Sequence, residues 1–255
     1  MLRIVAFILA GLPFFTLSTQ EGEIQYKEII KIDIELPEGL PISQEQLEKL
    51  MPSEQVNNKI LYFTSEASLF TNPPKAEATD GSQDYNSDDG SVQIKMIRSD
   101  GENKIFHDIK ANKMLNQRSF LGRKFLVKGA GTTYDWKLTG ASKMVAGYAC
   151  QQALTEVKGS KIEAWFTPTI PVTTGPSGYM NLPGMILEVT SEGENGIRKY
   201  IAQKVDFKQL ESGLLKAPKK GKKVSQEEFD QIVAEKTAEM GEAAGGNRVQ
   251  VQIRN

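Results

Sequence analysis

The chain has little of what most catalytic and metal sites are built from. Its 255 residues include one cysteine, Cys150, and one histidine, His107. A single cysteine forms no internal disulfide. One cysteine and one histidine cannot supply the four N/S ligands of a structural zinc site. Any Ser-His-Asp or Cys-His arrangement must use His107, which sits in the alternating stretch "KIFHDIK" with Asp108 on the opposite sheet face. A packed or surface strand histidine is the simpler reading. Charge of one sign is also lacking: 31 Lys and Arg stand against 32 Asp and Glu, a net charge of −1. That balance gives no long-range attraction to nucleic acid or to an anionic membrane. Past residue 15 no run approaches the ~18–20 apolar residues of a membrane span, so the chain is not expected to be an integral membrane protein.

Two motifs are missing as well. No Gly-rich phosphate loop follows a strand and opens a helix. "DYNSD" (residues 84–88) starts like a calcium loop, but Asp89 stands where glycine is needed and Lys95 where the bidentate glutamate belongs. No metal and no cofactor is expected.

What is present begins with an export signal. Met1-Leu2-Arg3 forms a short positive head, and Ile4 to Phe15 an apolar run of about twelve residues. Thr16 and Ser18 suit the −3 and −1 positions, so cleavage is expected after Ser18. Cys150 is far from that point, which excludes lipid anchoring through a cysteine next to the signal. The expected location is the periplasm or outer envelope, soluble after cleavage. About 237 of the 255 residues then remain, compatible with one large β-rich domain.

The hydrophobic pattern is mostly period two. Residues 22–36 alternate around Ile30, Ile32, Ile34 and Leu36. Residues 43–51 read as a short helix capped by Ser43. A second strand is expected over 58–70, and 71–91 as a flexible acidic loop. Further strands are expected at Val92–Ile97, Lys104–Ile109, Gln117–Val127 and Tyr134–Leu138. Residues 143–157 are ambiguous between helix and strand, and the turn at Gly159 favours a hairpin from Ala149 to Phe166. Met185–Thr190 and Ile197–Val205 form another hairpin. Ser225 and Glu228 make a capping box for a helix reaching about Met240, followed by a C-terminal strand or tail. The fold class is therefore mainly β, a β-rich α+β chain: a curved antiparallel sheet or half-barrel with one or two short helices. Its divisions are a signal peptide at 1–18, an antiparallel β domain at 19–216, and a basic linker, helix and tail at 217–255.

Three blocks carry a resemblance. "YDWKLTGASKMVAGYACQQA" (134–153), "EAWFTPTIPVTTGP" (163–176) and "NLPGMILEV" (181–189) occur in this order and spacing. Together they resemble the GLPGLI family of exported Bacteroidetes proteins. Asn181 replaces the hexapeptide's first glycine and Met185 its second leucine. The resemblance implies a β-rich, half-barrel envelope protein with no agreed biochemical function and no catalytic residues to carry over. Its signature positions are Trp136, Cys150, Trp165, Pro171, Gly175, Pro176, Leu182, Pro183 and Gly184. Tyr148 and Tyr179 join them as aromatic material for a pocket.

Three functions are compatible with these residues. The favoured one is a non-enzymatic module that binds an apolar ligand or an envelope protein partner on a curved sheet. The others are an assembly factor for an outer-membrane component, working through loop 71–91 and the tail, and a thiol-dependent enzyme or redox protein using Cys150. Pro183-Gly184 is read as a rigid corner delivering one strand in fixed register, not as an active-site loop.

Overall fold

A computed structural model of the chain describes residues 20–32, 45, 54–74, 82–86, 93–98, 103–130, 132–194, 196–244 and 248–253. The proposed signal lies outside the described residues. So does the predicted helix at 43–51, except Glu45, which is helical.

Strand β1 (Gly22–Ile32) shows why the sheet forms where it does. Its even residues Ile24, Tyr26, Glu28 and Ile30 are buried on one face, as period two requires. It pairs antiparallel with β2 (Glu54–Phe63) on one side and with β13 (Gly196–Phe207) on the other. The first strand and a late one are thereby neighbours at the centre of the sheet. Beyond β2 lie β3 (Ala67–Thr71), β6 (Lys104–Asp108), β7 (Lys113–Phe120) and β8 (Arg123–Ala130). Beyond β13 lie β12 (Met185–Gly193), β11 (Ser160–Thr167), β10 (Tyr148–Val157) and the edge strand β9 (Lys137–Val145). With β14 (Lys222–Val224) on the far edge, this makes one open sheet of 12 strands. A second sheet joins β4 (Ser82–Asn86), β5 (Gln93–Arg98) and β15 (Arg248–Ile253). The fold is mainly β, as expected.

Three hairpins turn on an X-Gly pair with both residues at positive φ: Leu121-Gly122, Ala146-Gly147 and Lys158-Gly159. That is the two-residue turn whose twist matches the strands it joins. Ala146-Gly147 joins β9 to β10 and Lys158-Gly159 turns the hairpin at 148–167, and together they remove the helix alternative for 143–157. Leu121-Gly122 corrects the single strand expected over 117–127: the chain reverses there. The strand expected over 58–70 is likewise two. Thr64 breaks it, its Oγ1 accepting the amides of Glu66 (3.2 Å) and Ala67 (3.1 Å) in a tight side-chain turn.

Three further expectations change. The strand placed at 134–138 begins only at Lys137, because Trp136 is held outside the ladder by its own hydrogen bond (below). Ser82–Asn86, expected within a flexible loop, pairs with β5. Ladder bonds are main-chain, so polar side chains did not prevent them. The basic linker contributes β14, which lies parallel to β8, and β15 lies parallel to β5. Long returns permit the parallel approach that tight hairpins forbid.

Both faces of the middle strands are covered. Ile60, Tyr62 and Leu69 pack with Phe106, Leu210, Leu214 and Leu215. Leu61, Phe63 and Phe70 join the main core with Ile24, Tyr26 and the segment 168–184. Helix α1 (Gln226–Ala244) buries Phe229 and Val233 against Phe120, Phe125 and Val127. Its capping box is formed: Ser225 Oγ accepts the Glu228 amide at 3.1 Å, and the Ser225 amide donates to Glu228 Oε2 at 2.8 Å.

Candidate functional site

The signature residues meet around one feature, the crossover 168–184 between β11 and β12. Its residues alternate in burial: Ile170, Val172 and Thr174 are buried, Thr169, Pro171 and Thr173 exposed. It lies against the start of β12, with the amides of Met185 and Ile186 donating to the carbonyls of Ile170 (2.9 Å) and Thr174 (3.0 Å). Thr174 Oγ1 bonds Ser68 Oγ on β3 at 2.8 Å. Tyr26 donates its hydroxyl to the Ile186 carbonyl at 2.6 Å. Trp136 Nε1 donates to the Met180 carbonyl at 2.8 Å. Tyr134 stacks on Trp136, with centroids 5.2 Å apart, and leans on Tyr179 at 5.5 Å. The aromatics therefore clamp the crossover. Its own Met180 and Leu182 are buried, and Leu182 packs with Ile170 and Val172 in the main core.

Gly184 closes the crossover. Its φ is +152°, and an added Cβ would stand 2.2 Å from the Thr167 carbonyl oxygen. Its amide donates to the Leu182 carbonyl at 2.8 Å, closing a three-residue turn around Pro183. Gly175 is equally cramped, its Cβ position 2.7 Å from Ile186 Cβ. Pro176 is buried, while Pro171 and Pro183 are exposed.

The thiol reading loses ground at Cys150. The side chain is buried and donates to the Tyr148 carbonyl at 3.6 Å, with Tyr148 half-buried beside it. Burial pushes the thiol up to about 11, outweighing the opposing pull of Lys143. At neutral pH it is a thiol, not a thiolate nucleophile. His107 is buried on β6, and neither ring nitrogen has a hydrogen-bond partner among the described residues. Burial lowers its pKa, against the opposing influence of Asn112 and Asp108. Trp165 is buried too, its Nε1 donating to Glu163 at 2.5 Å and its ring under Lys143 Nζ at 4.2 Å. Among the described residues no three His, Cys, Asp or Glu side chains cluster as a metal site would need.

The constellation that sequence reasoning missed lies beside the crossover. Glu28 is 2% exposed at the back of a cleft of about 160 Å³, lined also by Lys59, Asn116, Arg118, Ser177 and Tyr200. The β1–β13 register sets Tyr200 opposite Glu28, and its hydroxyl donates to Glu28 Oε1 at 2.8 Å. Asn57, opposite Glu28 on β2, donates to Oε2 at 3.1 Å. Lys59 Nζ stands 3.4 Å from Oε2 and donates to Asn72 Oδ1 at 2.9 Å. Arg198 Nε is 4.0 Å from Oε1. Burial, and next the Glu28 charge, push the Tyr200 phenol well above its ordinary value, so it stays a donor. One signal was available: Glu28 follows Ile24 and Tyr26 on an otherwise apolar face.

Comparison with known proteins completes the picture. No curated protein matches the chain. Two solved structures of PNGF-II, in the P21 and C2 space groups, superimpose with TM-scores of 0.55 and 0.54 at 19% and 16% identity. Each match covers 85% of this chain and 34% or 33% of PNGF-II, so the chain spans about a third of that protein's length. At this identity the likeness is one of fold. A family model described as "Protein of unknown function (Porph_ging)" matches residues 154–188. Those residues include the crossover and the hexapeptide at 181–186, and over them the chain is similar to that GLPGLI-motif family of Bacteroidetes proteins.

Proposed function

We propose that the protein is a non-enzymatic binding module of the cell envelope, exported on the segment 1–18, whose recognition element is the polar cleft beside Glu28. The carrying observation is what packs against the large sheet. The crossover covers one part of it and α1 covers another. The cleft between them is walled by charged and amide side chains. This favours a polar group over the apolar ligand expected from sequence. The residues 217–255 belong to the same binding body in this reading, since β14 and α1 close one side of it. The buried, protonated Cys150 weighs against a thiol enzyme.

The test is native mass spectrometry of the mature protein recovered from its own envelope without detergent. A small-molecule mass lost on mild activation is the expected result. Bare chain mass, with no companion on gel filtration, overturns the reading.

A second reading, binding of an envelope partner chain, is favoured by β9. This edge strand exposes Leu138 (58%) and Met144 (64%), and an open edge accepts a further strand through main-chain bonds. Proline substitutions across 139–143 would abolish such an association and leave the cleft unaffected.

A further inference from the structure

We propose that the cleft beside Glu28 binds a phosphate-type oxyanion between Lys59 and Arg118; this rests on the cleft being the recognition element. The argument begins with charge. Among the side chains that line the cleft, Lys59 and Arg118 are cations and Glu28 is the one carboxylate. The other acid acting on Arg118 is Asp230 on α1, which is exposed and already accepts from Gln226 at 2.9 Å. Water screens that contribution. Burial disfavours the Arg118 charge, Asp230 supports it, and the like charge of Arg198 disfavours it again. Charges taken out of water need compensation, and in the cleft lining two cations face one carboxylate.

Geometry agrees. Arg118 is fixed rather than loose. Its guanidinium lies 5.3 Å over the Phe229 ring, and Nε and Nη2 donate to the Asn116 side-chain oxygen at 3.0 Å each, with the amide turned to accept. Lys59 is anchored on the opposite wall by Asn72. Ser177, at φ +52° in the crossover, brings a hydroxyl to the same cleft. The half-buried Asn72, Asn103 and Asn116 leave the cleft open to solvent. Its volume of about 160 Å³ holds about five waters, below the ~300–1,000 Å³ of a drug-sized pocket. It accepts a head group whose remainder stays outside. A tetrahedral dianion presents oxygens to both walls and answers more of the excess charge than a planar monoanionic carboxylate.

The experiment is a heteronuclear NMR titration of the mature chain with inorganic phosphate, glycerol 3-phosphate and acetate at fixed ionic strength. Saturable shifts at Asn72, Asn103, Arg118 and Ser177 are expected with both phosphates and not with acetate. Equal affinity for the two identifies the free ion, and a tenfold preference for glycerol 3-phosphate identifies an ester. Arg118→Gln should weaken binding at least tenfold; unchanged affinity overturns the inference. If that variant does not fold, Asn116→Asp replaces it. The added carboxylate cancels the Arg118 charge while keeping its stacking, and phosphate affinity unchanged there is equally fatal. Acetate shifting the same residues as strongly would overturn the phosphate class but leave the cleft as a binding site. No shift in the cleft with any of the three overturns both.

Discussion

Two buried carboxylates in this sheet are each surrounded by cations, and they are built differently. Glu188 on β12 meets Lys143 and Lys199 directly, both at 2.8 Å, and each lysine is 35% exposed. Glu28 on β1 meets its cations at 3.4 and 4.0 Å, while its short contact is with a neutral hydroxyl at 2.8 Å. Burial alone would raise the Glu188 pKa, but hydrogen bonds from the two lysines outweigh it and hold the carboxyl below its ordinary value. Glu188 is a closed staple. It ties β12 to β13 and to the β9–β10 hairpin, whose Lys143 also covers Trp165. Glu28 has cations at longer range beside a cleft. The same residue types are closed into a staple in one place and border a cleft in the other, and the difference lies in contact length and in what fills the space beside them.

Both carboxylates depend on the crossover. Ser177 lines the Glu28 cleft, and Glu188 follows Gly184 by four residues in the strand that the corner delivers. Breaking the corner should therefore erase the contrast. Gly184→Val adds a Cβ at 2.2 Å from a carbonyl oxygen at a φ of +152°, where nothing but backbone can yield. A loss of about 4 kcal/mol or more is expected, seen as failure to fold or as a collapse of the urea midpoint. A well-folded variant that has lost only ligand binding would make the corner a site instead.

The next effect separates the two carboxylates. Glu28→Gln leaves Lys59, itself 8% exposed, beside a neutral amide. Breaking a buried pair from one side costs about 3 kcal/mol. Removing both partners, as Glu28→Leu with Lys59→Met, should recover part of that, because no orphan charge remains. Glu188→Gln should cost roughly 1 kcal/mol or less, since Lys143 and Lys199 can turn to water. Urea unfolding of the four proteins decides the matter. Equal losses at Glu28 and Glu188 would end the distinction drawn between them.

The fold was more legible in sequence than the cleft, for a local reason. Period-two alternation and the X-Gly turns are properties of adjacent residues, so β1, the 148–167 hairpin, β12–β13 and the capped helix could be read directly. Leu121-Gly122 was overlooked because leucine at a turn position continues a strand pattern. Ser82–Asn86 was missed because polar composition says little about main-chain pairing. The Pro183-Gly184 corner is legible as a turn because proline and glycine are local signals. The cleft draws Glu28, Lys59, Arg118, Ser177 and Tyr200 from five separate segments, and only the 12-strand order brings them together. No spacing rule reaches across such distances. Glu28 on an apolar face was the one visible trace.

The smallest effect concerns acid. His107 is the chain's only histidine, so its ring protons can be followed alone. Its pKa in the fold lies below the ordinary 6.5 because burial disfavours the imidazolium. The unfolded chain then binds the proton first as pH falls. Stability should decline from about pH 6.5 down to the lowered value and level off beneath it. Glu188 acts in a separate window: its contribution is present above the ordinary 4.5 and is lost as pH falls through the depressed folded value. In His107→Gln the upper decline should vanish while the lower one stays. In Glu188→Gln the reverse should hold. An NMR titration midpoint for His107 at or above 6.5 would show that the buried ring has found a partner for its charge, and the upper window would then have to be assigned elsewhere.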